Sequence, residues 1–263
     1  MNYGEIKFEH VWAFQIKCMI ANQYDRLIEA IAQNDTDLII AVCLRLGWND
    51  AFKHVSENID EYNKLSDDDK STAVQTACNA LVDKFKEYAQ KETTQERYNL
   101  IVGWIEHRDL NSIFSPIKNV ASTTYPLCLG HIQKMLNIAM KLLLCLIICA
   151  EHANTYDIKI KLGKFNADDV YLTDHDLLSY SNFPYSFATA DCPVDHYILE
   201  AIDANKTKKP TKIQGHRQFK NIVWSKMGAK ESKENYISVQ KEITNIQKGT
   251  NKCNLCFDFE NWN

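Results

Sequence analysis

Gly130-His131-Ile132-Gln133-Lys134-Met135-Leu136-Asn137-Ile138-Ala139-Met140-Lys141, continued without a charge from Leu142 to Ala150, is the stretch whose reading decides the fold. Its apolar residues recur on every side of a 3.6-residue period, which predicts a helix buried almost all round. Lys134, Asn137 and Lys141 stand at i, i+3 and i+7 and so share one stripe of that helix. A lysine entering such a helix must snorkel to water, meet a carboxylate or lose its proton. The stripe is therefore the first candidate for chemistry.

The rest of the composition agrees with a helical protein. The chain has 263 residues, enough for a substantial core, and its 8 glycines and 5 prolines are few for an all-β protein of that length. We expect an all-α fold: two interleaved helical subdomains, residues 1–110 and 111–263, around the central buried helix, or one continuous domain. A net charge of -4 does not mark a general polyanion binder, so any nucleic-acid contact needs a local basic surface. The nine cysteines, Cys18, Cys43, Cys78, Cys128, Cys145, Cys149, Cys192, Cys253 and Cys256, lie mostly in apolar helical patterns and read as reduced thiols rather than a disulfide framework. The first ten residues lack the apolar core of a secretory signal. Leu142 to Ala150, the longest apolar run, is shorter than a bilayer span. These features suggest a cytoplasmic protein of bacterial type.

Taken in order, Phe8 to Gln33 has amphipathic helical spacing and stops at Asn34-Asp35. A second helix is expected over Asp37 to Ile59, with Gly47-Trp48-Asn49-Asp50 as a break. Ser66 and Asp69 form a capping pair that opens a third helix reaching Tyr88. A fourth runs from Thr94 to Arg108. Asp109 to Pro126 is turn-rich, and Ser115-Pro116 and Tyr125-Pro126 oppose helix there. Glu151 to Asp191 reads as an irregular insertion with two short helices. Cys192-Pro193-Val194-Asp195 opens a helix ending near Ala204, and a last helix spans Lys233 to Gln247.

Lys134 and Asp195 form the leading constellation. A neutral lysine amine is a nucleophile suited to Schiff-base formation at an electrophilic carbon. An aspartate at a helix start is held ionised by free backbone N–H groups and can stabilise a developing cation. The alternative is a structural ion pair.

At these residues the chain resembles the helix-hairpin-helix DNA glycosylases. Leu129-Gly130 fits the start of their glycine-containing hairpin, and Lys134 falls four after Gly130, the spacing to their catalytic lysine. Cys192-Pro193-Val194-Asp195-His196-Tyr197 is similar to their Pro-Val-Asp segment, whose aspartate opens a helix and faces that lysine. The resemblance implies Lys134 as nucleophile at the sugar C1′, Asp195 as its electrostatic partner, base excision with a possible strand-scission step, and DNA as partner with no cofactor and no metal. Ile132 stands where the family has a second hairpin glycine, and the Lys134 to Asp195 separation requires residues 151–191 to be an insertion. The Gln133 to Asn137, Pro193 to Asp195 and Trp224-Ser225 segments also resemble an uncharacterised family of bacterial helical proteins.

Gly130, Gln133, Asn137 and Lys141 would position DNA or the lysine. Lys206 to Lys230 carries eight cations and no Asp or Glu, with Phe219 and Trp224 interleaved. Lining a cleft, His216, Arg217, Lys220, Trp224 and Lys226 would meet phosphates or an extruded base; otherwise the stretch is a solvated loop anchored by Trp224. Cys253-Asn254-Leu255-Cys256 has metal or redox spacing, but with no second pair or histidine after it, it reads as tail thiols without a partner. There is no G-x-S-x-G, H-E-x-x-H or phosphate-loop motif. His107-Arg108-Asp109 reads as a helix end. The competing functional classes are a non-enzymatic helical interaction protein, with Lys134, Asn137, Asp195, Tyr236 and Gln240 in a buried network, and a nucleotide or small-molecule pocket on the same residues.

Overall fold

The computed structural model describes residues 24–57, 64–114, 128–156, 161–162, 170–171, 177–208, 219, 222, 233–248, 250 and 253–261. Helices α1 (Tyr24–Ala32), α2 (Thr36–Glu57), α3 (Asp67–Ala80), α4 (Val82–Ala89), α5 (Thr94–Glu106) and α6 (Asp109–Phe114) precede the long α7 (Leu129–Tyr156). A two-residue antiparallel pair follows, β1 (Lys161–Leu162) with β2 (Val170–Tyr171), and then a single 3-10 turn at Phe187–Thr189. Helices α8 (His196–Lys208), α9 (Lys233–Ile246) and α10 (Asn254–Asn261) complete the described chain. The fold is all-α, as the composition suggests.

The core is one cluster that draws on both halves, from Leu27 in α1 to Phe259 in α10, with α7 running through it. From Leu129 to Ala150, α7 is buried except at His131 and Ile148, as its all-round apolar pattern requires. Over Leu129–Thr155 this helix is long and apolar enough to cross a membrane by length and composition, which the shorter Leu142 to Ala150 run does not convey; 94% of the apolar window is buried against the rest of the chain. Each Leu, Ile or Met side chain so buried contributes roughly 1.5–3 kcal/mol relative to exposure, which makes α7 the main apolar anchor of the fold.

Several boundaries differ from those the sequence suggests. Gly47 does not break α2, which is continuous. A Cβ at Gly47 would overlap the Met135 carbonyl oxygen of α7 and lie 3.2 Å from its carbonyl carbon. The glycine therefore marks a close approach of two helix backbones. The third helix divides at Leu81 into α3 and α4, and α6 occupies the start of the segment read as turn-rich. The turn before α6 is made by Arg108 at φ 60°. The described part of residues 151–191 holds the end of α7, the β1–β2 pair and the 3-10 turn; residues 157–160, 163–169 and 172–176, part of the segment where two short helices are expected, lie outside the described residues. The Ser66 hydroxyl caps α3 by accepting from the Asp69 N–H at 3.1 Å, as expected.

The α2–α7 approach makes Gly47→Ala a sharp probe. Alanine favours helix by about 1 kcal/mol, but its methyl meets backbone that no rotamer change can move. Overpacking typically costs about 1–3 kcal/mol, and a contact with immobile backbone lies at the upper end of that range. We expect a net loss of about 2 kcal/mol in urea unfolding; unchanged stability would mean that the helices separate freely.

Candidate functional site

Three elements converge on Lys134. Its side chain is 8% exposed, and its Nζ lies 2.8 Å from Asp50 Oδ2 of α2 and 3.6 Å from Asp195 Oδ2 at the start of α8. The Asp50 side chain is 57% exposed and that of Asp195 22%, so the lysine is enclosed on its own helix while its carboxylates reach solvent. Asp195 Oδ1 also accepts from the Ile198 N–H at 3.0 Å and so caps α8. One carboxylate thereby fixes the helix start with one oxygen and faces the lysine with the other. Asp50 was missed in the sequence because it sits in the tetrad read as a break; as helix it lies one turn beyond Gly47, and Met135, which Gly47 touches, adjoins Lys134.

Gln133 and Asn137, one turn apart and fully buried, tie α7 to the segment that carries Asp195. Gln133 Nε2 donates to Gly130 O at 3.0 Å and Val194 O at 3.2 Å, while its Oε1 accepts from Val194 N at 3.4 Å. Asn137 donates to Gln133 Oε1 at 3.1 Å and Cys192 O at 3.4 Å, and accepts from the Tyr88 hydroxyl at 2.6 Å. Gln240 of α9 holds the same backbone from the other side, accepting from Cys192 N at 2.9 Å and donating to Cys192 O at 2.7 Å. A non-helical segment buried here has its backbone polar groups met by side chains, the condition for burying it at all.

The network ends on a charge. The Tyr236 hydroxyl donates to Asp191 Oδ2 at 2.8 Å, and Thr94 Oγ1 donates to Oδ1 at 2.5 Å. Arg97 lies 3.5 Å from the same carboxylate, with both side chains fully buried. Burial pushes the Asp191 carboxyl up, against the pull of Arg97, Thr94 and Tyr236. Arg97 also donates to Thr189 O at 2.7 Å and Lys91 O at 2.5 Å, which ties the segment approaching Asp191 to the turn between α4 and α5.

Lys141, on the same stripe as Lys134, has a partner that the sequence did not suggest. It is buried, ion-paired with Asp258 of α10, and lies 4.7 Å from the centre of the Phe259 ring. Burial raises the Asp258 carboxyl and Lys141 opposes that rise. The pair docks α10 on α7, and the charges of Asp195 and Lys134 also act on Asp258. Gly130 is buried inside the first turn of α7, so Gly130 to Lys134 is continuous helix. His216, Arg217, Lys220, Trp224 and Lys226 lie outside the described residues. Among the described residues no group of three potential metal ligands is found.

His131 borders the site one turn before Lys134. Its ring is 5.3 Å from that of Phe52 and its Nδ1 contacts the Cys128 thiol. Burial, with the Lys134 charge adding to it, pushes the imidazole down to about 4 from 6.5. A depressed histidine binds fewer protons folded than unfolded, so its contribution is complete above pH 6.5 and is lost as pH falls toward 4. We expect acidification over that window to cost up to about 3 kcal/mol through this group. Denaturant curves of the wild type and His131→Phe at pH 7 and pH 4.5 check this: the variant should lose less on acidification, and parallel losses would assign the acid sensitivity elsewhere.

Comparison of the chain with protein-family models, with curated proteins and with solved structures finds no match in any of the three.

Proposed function

We propose that the protein is a DNA glycosylase-like base-excision protein with an AP-lyase step, in which Lys134 is the nucleophile and Asp195 its electrostatic partner. The observation that supports this reading is the placement of a buried lysine amine 3.6 Å from a helix-capping carboxylate, beside a second carboxylate open to water. In the proposed reaction the amine, its proton lent to Asp50, adds to C1′ of an abasic sugar. Return of that proton to the C1′ hydroxyl releases it as water and gives an iminium ion, whose positive charge Asp195 faces. The two carboxylates repel phosphate, so the approach of DNA rests on the cations from Lys206 to Lys230, with His216 and Trp224 as stacking groups.

Borohydride reduction on duplex DNA bearing an abasic site is the test. Wild type is expected to form a covalent adduct, and Lys134→Gln to form none. An adduct that survives in Lys134→Gln would remove Lys134 from the mechanism.

A second reading has an observation of its own. Gln133, Asn137, Tyr88, Tyr236 and Asp191 meet one another within the chain, as the register-fixing network of a helical interaction protein would. Absence of any adduct with abasic or oxidised-base DNA would favour that reading.

A further inference from the structure

Cys253 and Cys256, read from the sequence as tail thiols without a partner, are each other's partner. Their sulfurs lie 3.2 Å apart at the start of α10, where the Cys256 N–H donates to Cys253 O at 3.0 Å. That leaves roughly 1.2 Å between the observed contact and a disulfide bond of about 2.05 Å. Helix α10 is itself held in place by the buried Lys141–Asp258 ion pair, so its first turn keeps the two cysteines in register.

We propose that Cys253 and Cys256 form a reversible redox site that exchanges with low-molecular-weight disulfides of the glutathione type. The order of events follows from the geometry. Cys253 precedes the helix and keeps 8% of its surface exposed, whereas Cys256 keeps 1%. The hydrogen bond shared with the Cys256 thiol holds Cys253 below its ordinary value, with backbone N–H groups of Cys256 and Leu255 adding to the effect against burial. Cys256 is pushed up, first by that same hydrogen bond and then by burial. Cys253 is thus the attacking thiolate and Cys256 the resolving thiol.

In the first step the Cys253 sulfur attacks one sulfur of the small disulfide. A mixed disulfide forms, and one small thiolate leaves with the Cys253 proton. Cys256 then attacks Cys253 Sγ; the protein disulfide forms, and the second small thiolate leaves with the Cys256 proton. The small disulfide is reduced by two electrons, and the dithiol is oxidised by the same two. The site is independent of any activity at Lys134.

The experiment equilibrates the full chain in mixtures of reduced and oxidised glutathione, quenches with acid, alkylates, and maps the peptides by mass. Wild type is expected to lose two alkylated positions together from the nine of the reduced chain, with Cys253 joined to Cys256. Cys256→Ser should accumulate one glutathionyl group on Cys253, and Cys253→Ser should carry none on Cys256. Nine alkylated cysteines at every glutathione ratio, or a bond between another pair, would overturn the proposal. Should either variant fail to fold, timed alkylation of reduced wild type decides. Cys253 should react at least about 10-fold faster than Cys256, and an equal or reversed order would contradict the assignment.

Discussion

Arg97→Met is expected to cost about 3–5 kcal/mol in chemical denaturation, the largest loss of any single change considered, because it leaves Asp191 as a buried carboxylate without its cation. The substitution fills much the same volume, so the loss reports charge and hydrogen bonding rather than a cavity. The carboxylate keeps Thr94 and Tyr236 as donors at 2.5 and 2.8 Å, which do not replace a charge. Adding Asp191→Leu should recover part of the stability, since an apolar pair in place of a buried ion pair is often neutral. Recovery stays partial because the Tyr236 hydroxyl then loses its acceptor. The deficit should also depend on pH. Burial raises Asp191 above its ordinary 3.8 in the folded state, so the folded form binds the extra proton and the variant's penalty grows as pH rises through and above that range. A deficit below about 1 kcal/mol at neutral pH would show that the pair contributes little to stability and would weaken the view that it anchors the segment leading to Asp195.

Asp195→Asn separates the two duties of that residue. Asparagine is as good a helix N-cap as aspartate, so the Ile198 N–H keeps an acceptor and stability should change by less than about 0.5 kcal/mol. The charge facing Lys134 Nζ at 3.6 Å is lost. If that charge stabilises the iminium, the rate of borohydride-trapped adduct formation should fall on the order of 10²-fold while the melting curve stays in place. Equal rates in the two proteins would leave Asp195 as a cap alone. Asp195→Ala is the poorer probe, because it removes cap and charge together.

How much of this was legible in the sequence follows from which contacts are local. The buried α7 declares itself by an apolar pattern that closes around the whole helix. Lys134 and Asp195 stand out because each violates or decorates a helix rule at its own position, the lysine inside an apolar stripe and the aspartate beside a proline at a helix start. Asp50 carries no such local mark. It reaches Lys134 only because Gly47 lets α2 and α7 approach backbone to backbone, and glycine in isolation reads equally well as a break. The Lys141–Asp258 pair was illegible for a similar reason. Its partner sits in an eight-residue helix near the end of the described chain, too short to show a period. The network through Tyr88, Asn137 and Tyr236 joins three helices far apart in sequence, and periodicity places each residue on a face without saying which face it meets.

Peptide mapping of the borohydride-reduced complex tests the central claim most directly, because it asks which nitrogen bonded to the sugar. Wild-type protein is reduced in the presence of abasic DNA, digested with nuclease and protease, and each lysine peptide weighed. One sugar adduct, on Lys134 and on no other residue, is the expected result. An adduct on a lysine between Lys206 and Lys230, or on the chain's N-terminal amine, with Lys134 unmodified, would contradict it.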